Sequence, residues 1–105
     1  MNTTPAFYDA ENVGQLYVPR TEEAVNVGLA SSLPPAVDDE QRIVLLLVDP
    51  QVDFIHADGA LRVPGAVDDA RRTIEWLFRH AERITAIAAS LDSHIPTQIF
   101  YPTWW

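Results

Sequence analysis

The sequence predicts an α/β fold built on parallel strands, and three consecutive segments carry that prediction. Residues 43–48 form an unbroken apolar run, which is typical of a strand covered on both faces in a parallel sheet. Residues 67–83 place apolar side chains at helical spacing, and residues 84–91 are rich in Ile, Ala and Thr. Because the order is strand, helix, strand, the two strands are expected to pair in parallel through a right-handed crossover.

Residues 1–40 differ from the rest and are expected to form an N-terminal arm, with the domain proper covering residues 41–105. Four prolines punctuate the arm, and a short acidic run closes it at residues 38–40. Its many apolar side chains favour packing against the domain or against a neighbouring subunit. A partly disordered extension is the alternative for this arm.

The predicted helix has charges at both ends that favour it. Asp68 and Asp69 fall in its first turn, and Arg79 and Arg83 fall near its end, so each pair opposes the helix dipole. Residues 60–63, between glycine and proline breakers, are expected to form a short extended piece beside the crevice of the sheet.

Composition excludes several classes of function. Seven basic residues, all arginines, against fifteen acidic ones give a net charge of −8, which repels the phosphate backbone of nucleic acid. The apolar runs are too short to span a membrane and the first residues show no secretion signal, so we expect a cytoplasmic protein. The chain contains no cysteine and no lysine, so it cannot itself supply a thiolate or an ammonium group.

Polar side chains crowd the end of the first predicted strand, where open parallel sheets bind their ligands. Asp49 follows the strand directly, and a carboxylate there can act as a general acid or base. Alternatively, Asp49 only caps the turn that Pro50 enforces. Gln51, Asp53 and Phe54 follow within five positions, which is more than a turn needs. We therefore expect these three side chains to line a small-molecule site beside Asp49.

A second candidate pair follows the second predicted strand. Asp92 and His94 stand two residues apart, on the same side of an extended chain, and offer one oxygen and one nitrogen ligand. Such a pair can hold a divalent cation when further ligands come from elsewhere. The alternative is a turn aspartate followed by a partly exposed histidine before Pro96.

In order and spacing these parts resemble the isochorismatase-like cysteine hydrolases, the superfamily that includes the nicotinamidases. The matching parts are the apolar strand, Asp-x-Gln-x-Asp-Phe, Gly-Ala-Leu-x-Val-Pro-Gly, the amphipathic helix, the second strand and Asp-x-His. The resemblance covers residues 42–100. It implies a Rossmann-like three-layer α/β fold of which this chain holds the N-terminal half.

The resemblance also implies an activity and a division of roles. In that family an Asp, a Lys and a Cys together hydrolyse an amide or related C–N bond of a small molecule, and the Asp corresponds to Asp49. The Lys and the Cys have no counterpart in this chain. The resemblance therefore implies the Asp-bearing part of a hydrolase, inactive alone and dependent on another chain or a missing portion for its nucleophile.

A metal is implied only for the nicotinamidase branch. That branch binds zinc, iron or manganese through an Asp-x-His pair and further histidines, and the resemblance puts the pair on Asp92 and His94. Six residues beyond His94, where that branch has its next histidine, this chain has Phe100. A metal site here would need further ligands from another chain, and the superfamily also has members without a metal.

Two classes of function remain open from the sequence. The first is the hydrolase portion acting on a small substrate. The second is a non-catalytic interaction or regulatory subunit with the same half-fold, in which Asp49 is a turn residue. The apolar residues at 99–105 favour association with a second copy or a complementary chain in either case. A nucleotide-binding fragment ranks last, because no glycine-rich loop follows the first strand.

Overall fold

Two short strands and three α-helices make up the fold of the described chain. The computed structural model describes residues 4–93 together with residues 95, 97, 99 and 102. In chain order the elements are helix α1 (Thr21–Leu29), strand β1 (Val44–Leu47), helices α2 (Val52–Ile55) and α3 (Ala66–Arg79), and strand β2 (Ala86–Ala89). Single 3-10 turns lie at Ala10–Asn12, Ala36–Asp38 and Ala81–Arg83. The predicted mixed α/β class is confirmed at this level.

The two strands pair in parallel, as the sequence predicts. Their register places Val44 opposite Ala86 and Leu47 opposite Ala89. Each strand has four residues, fewer than the predicted segments 43–48 and 84–91. The reason lies at the ends of the ladder, where side-chain hydroxyls of Thr85 and Ser90 accept the backbone N–H groups that flank β1.

Helix α3 shields one face of β1, whereas the other face of β1 is open and all four residues of β2 are exposed. Leu45 is half-buried and lines a groove with Thr73 and Trp76 of α3. On the other side, Val44 and Leu46 are 62% and 61% exposed. The expectation of a first strand buried on both faces is therefore wrong for the described residues, none of which is fully buried. A single crossover helix covers one face of a sheet and supplies no second layer.

Helix α3 follows the predicted pattern at its start and ends earlier than predicted. It begins after Gly65, whose φ of 82° is left-handed. In the first turns, Asp68 and Asp69 form ion pairs with arginines three residues later, at 3.1 and 3.3 Å. The helix stops at Arg79, and Arg83 belongs to the separate 3-10 turn that leads into β2.

The first part of the N-terminal arm lies against α3. The Tyr8 hydroxyl donates to a Glu75 carboxylate oxygen at 3.4 Å, and Arg71 Nε donates to the Ala10 carbonyl at 2.7 Å. Shielding from water and the neighbouring Glu75 carboxylate raise the pKa of Tyr8 above its ordinary value. Further along the arm, α1 exposes apolar side chains such as Leu29. No described helix combines the length and apolar character that crossing a membrane requires.

Candidate functional site

Asp49 leaves β1 in a conformation that few side chains adopt. Its φ is 51°, the one positive value for a non-glycine residue in the described chain. A left-handed L residue costs roughly 1–2 kcal/mol, and aspartate is among the side chains that tolerate it best. Such a conformation persists only where neighbouring contacts enforce it. At Asp49 those contacts come from β2.

Ser90, the residue after β2, makes two hydrogen bonds with Asp49. The Asp49 backbone N–H donates to Ser90 Oγ at 3.0 Å. The Ser90 hydroxyl in turn donates to Asp49 Oδ1 at 2.7 Å. Since one serine hydroxyl contacts both the backbone and the carboxylate of the same residue, the side chain of Asp49 is oriented together with its main chain.

A tight turn carries the chain away from Asp49. The Gln51 N–H donates to the Asp49 carbonyl at 2.8 Å, which closes a three-residue turn centred on Pro50. Proline favours such a turn because its ring fixes φ. The turn leaves the backbone of Gln51 extended, directly before α2.

The side-chain amide of Gln51 joins the ends of the two strands. Its oxygen accepts the Asp92 N–H at 2.8 Å, and its nitrogen donates to the Asp92 carbonyl at 3.0 Å. The same nitrogen lies 3.3 Å from Asp53 Oδ2. Gln51 thus pairs with both backbone groups of Asp92, as a neighbouring peptide would, and also contacts the Asp53 carboxylate.

The segment after α2 holds that helix in place. The N–H groups of Leu61 and Val63 donate to the carbonyls of Asp53 and Phe54 at 3.0 and 2.9 Å. A Cβ at Gly59 would collide with the Asp53 carbonyl, so this close approach needs glycine. Residues 60–63, expected to be a short extended piece, form no strand: residues 60 and 61 lie in a turn, and residues 62 and 63 have no regular structure. The cause is that their donors are used by carbonyls of α2 and not by a strand.

The structure brings together most of the predicted site residues at the carboxyl ends of the strands. The joined residues are Asp49, Gln51, Asp53 and Asp92, all within one hydrogen-bond network that spans the two strand ends. Phe54 is half-buried in α2. His94 and Phe100 lie outside the described residues, so the predicted Asp92 and His94 pair is seen only at Asp92. Within the described part of the chain, no three His, Asp or Glu side chains are grouped to hold a metal ion.

Ser90 is the site residue that the sequence reasoning missed. A signal for it exists, because Ser90 is a lone hydroxyl at the end of a strand of Ala and Ile and stands two residues before Asp92. Its meaning depends on the strand register: one step beyond Leu47 and Ala89, Ser90 lies opposite Val48, where its side chain reaches the next residue, Asp49. That register cannot be read from residue types alone.

This arrangement holds a carboxylate where it can transfer a proton. Asp49 is half-buried and fixed by a hydroxyl donor, which suits a general acid or base that acts from one defined position. Covalent acyl transfer requires a thiol, hydroxyl or amine that is activated beside the base. The chain has no cysteine or lysine for this part, and the Ser90 hydroxyl, which donates to Asp49 Oδ1 and accepts the Asp49 N–H, serves in this geometry to fix the carboxylate.

Comparisons of the chain with known protein families, with curated proteins and with solved structures found no match.

Proposed function

We propose that this chain is the carboxylate-bearing portion of an isochorismatase-like cysteine hydrolase, which cleaves an amide or related C–N bond of a small molecule. The observation that carries the proposal is Asp49: it stands at the carboxyl end of β1 and is fixed in a left-handed conformation by Ser90. Strain held at the end of a parallel strand is typical of a functional position. The order of the sequence motifs between residues 42 and 100 is the reason for proposing this family.

In the proposed reaction Asp49 moves a proton between nucleophile and leaving group. A cysteine from the complementary portion gives its thiol proton to the Asp49 carboxylate, and the thiolate attacks the substrate carbonyl carbon. The C–N bond then breaks, and Asp49 returns the proton to the departing nitrogen. Water hydrolyses the resulting thioester, with Asp49 again accepting and returning a proton. By the resemblance, the complementary portion also supplies the lysine of the catalytic group.

The other residues of the network have binding and orienting parts in this proposal. Gln51 keeps the two strand ends together through Asp92. In the proposal, Asp53 and Phe54 line the substrate site. Asp92 would be one ligand of a metal in a nicotinamidase-like site. Because no cluster of metal ligands is formed within the described part of the chain, no step of the reaction is assigned to a metal.

The experiment compares the purified chain with an assembly that contains the missing groups. The chain alone is expected to show no turnover of nicotinamide or simple amides, since it has neither thiol nor ammonium. Combined with the polypeptide encoded immediately downstream, provided that it carries a Lys and a Cys, the chain is expected to become active. Asp49→Asn should then lower turnover roughly 100-fold or more, whereas Asp58→Asn, an exposed loop control, should not.

Two results would contradict the proposal. Turnover by the chain alone that is lost in Asp49→Ala would mean that the mechanism is different. Near-normal turnover of Asp49→Asn in the complete assembly would remove Asp49 as the acid or base.

A second function, that of an interaction or regulatory subunit, is favoured by the open face of the sheet. Val44 and Leu46 are both more than half exposed on that face, and Val48 just beyond β1 is 70% exposed. Exposed apolar patches mark surfaces that bind partners. If the chain is an interaction subunit, the downstream polypeptide is expected to lack the Lys and the Cys. Asp49→Asn should then leave association with the partner unchanged, and Leu46→Ser should weaken it.

A further inference from the structure

We infer that Ser90 is a positioning residue for Asp49, and that its hydroxyl holds the carboxylate ready for proton transfer. The inference rests on the proposed function, since it assigns Asp49 the part of acid or base. It adds a residue outside the Asp-x-Gln-x-Asp-Phe and Asp-x-His motifs.

The geometry gives the Ser90 hydroxyl a definite orientation. A serine hydroxyl has one donor and two acceptor sites. The donor is used by Asp49 Oδ1 at 2.7 Å, and one acceptor site is used by the Asp49 N–H at 3.0 Å. Because the single hydroxyl proton of Ser90 is used in the hydrogen bond to Oδ1, the other carboxylate oxygen, Oδ2, receives no hydrogen bond from Ser90. Oδ2 is therefore the atom assigned to exchange a proton with the nucleophile and the leaving group.

The backbone of Asp49 depends on the same contact. Its φ of 51° lies in a region that a non-glycine residue occupies only under constraint. When the hydroxyl is removed, both the acceptor for the Asp49 N–H and the donor to its carboxylate are lost. The carboxylate is then free to leave the reacting position along with its main chain.

Thr85, at the opposite end of β2, provides a matched comparison. Its hydroxyl accepts the Ile43 N–H at 3.0 Å and donates to Asp39 Oδ2 at 2.6 Å. The two hydroxyls thus make the same number of hydrogen bonds, each with one backbone N–H and one carboxylate. They differ in their partners, because Thr85 contacts two different residues and Asp39 has an ordinary φ of −65°. Thr85→Ala therefore removes the same number of hydrogen bonds without touching the proposed acid or base.

The first experiment measures kcat and KM in the active assembly. Ser90→Ala is expected to lower kcat roughly 10- to 100-fold, with KM changed by less than about twofold, because orientation of the base and not substrate binding is lost. Ser90→Thr, which keeps a hydroxyl, is expected to recover most of kcat. Thr85→Ala is expected to destabilise the fold as much as Ser90→Ala and to keep kcat.

The variant Asp49→Asn, measured in parallel, separates the proposed function of the chain from the positioning role of Ser90. Normal kcat in Asp49→Asn overturns the proposed function. Loss of kcat in Asp49→Asn together with normal kcat in Ser90→Ala overturns the assignment of Ser90 alone. An equal fall of kcat in Thr85→Ala and Ser90→Ala also overturns it, since the effect would then be a general loss of structure.

The second experiment needs no activity and uses the chain itself. Hydrogen exchange of the Asp49 amide, followed by NMR, is expected to be at least roughly tenfold faster in Ser90→Ala than in the unmodified chain, and to stay slow in Ser90→Thr. In Thr85→Ala the Ile43 amide is expected to exchange faster, whereas the exchange rate of the Asp49 amide is expected to stay unchanged. An Asp49 amide that is unaffected by Ser90→Ala, or that is unprotected in the unmodified chain, overturns the inference.

Discussion

The left-handed backbone of Asp49 leads to a prediction about stability: Asp49→Gly should be more stable than Asp49→Ala. Both substitutions remove the carboxylate and its hydrogen bond from Ser90, so their difference isolates the φ of 51°. Alanine in this conformation costs roughly 1–2 kcal/mol, which glycine avoids. Glycine has more freedom in the unfolded chain, which costs about 0.4–1 kcal/mol. The net expectation is a difference of about 1 kcal/mol in favour of glycine.

The assay is urea unfolding followed by tryptophan fluorescence. Chain concentration is held constant, because association through the open sheet face would shift the midpoint. For a small protein the slope is about 1 kcal/mol per molar urea, so the midpoints should differ by about 1 M. Asp53 in α2 is the matched control, because glycine in a helix is less stable than alanine by about 0.5–1 kcal/mol. The order of the two variants should therefore be opposite at the two positions.

Equal stability of Asp49→Ala and Asp49→Gly, with the normal order at Asp53, would refute the reasoning. It would mean that Asp49 has an ordinary backbone conformation. The constraint assigned to Ser90 would then be absent.

Three further predictions follow from contacts elsewhere in the chain. Gln51→Ala removes two hydrogen bonds to Asp92, which follows β2, and should lower the free energy of unfolding by about 1–2 kcal/mol. The exposed control Gln15→Ala should change the free energy of unfolding by less than about 0.5 kcal/mol. Equal losses in the two variants would show that the Gln51 contacts do not stabilise the fold. Leu46→Ser should weaken concentration-dependent association in sedimentation experiments, because Leu46 is 61% exposed on the open sheet face, and unchanged association would exclude that face as the contact. Tyr8 has a raised pKa in the folded chain, so its contribution to stability is complete below pH 10.0 and is lost as the pH rises through the higher pKa of the folded chain. Tyr8→Phe should therefore lose less stability than the unmodified chain at alkaline pH. An ultraviolet titration in which no tyrosine of the folded chain has a pKa above 10.0 would contradict this prediction.

The sequence predicts the elements of this fold better than their ends. The unbroken apolar run and the helical spacing after it are local patterns, and the parallel pair and α3 follow from them. The strand ends depend on contacts between distant residues, such as Thr85 with Ile43 and Ser90 with Asp49. Those contacts require the register of the sheet, which no local pattern contains.

The conformation of Asp49 was also beyond prediction from residue types. A residue before proline is normally extended, because the proline ring disfavours helical backbone at that position. Asp49 is left-handed instead, and we attribute the difference to its two hydrogen bonds with Ser90, one donated and one accepted by the serine hydroxyl. A covered second face was predicted from the apolar run alone. The run correctly indicates a strand suited to burial, but the described residues provide one covering helix only.

The separation along the chain of Asp49 and Ser90 determines when the site forms during folding. The two residues are 41 positions apart, so their contact closes a loop that includes all of α2 and α3. Closing a loop of this length costs roughly 3 kcal/mol of chain entropy, about as much as the two part-buried hydrogen bonds between Ser90 and Asp49 return. We therefore expect helix α3 and the pairing of β1 with β2, which closes the same loop at four residue pairs, to form first. The left-handed conformation of Asp49 is then expected to form only after the strands have paired, so the oriented carboxylate is a property of the folded sheet and not of the local sequence.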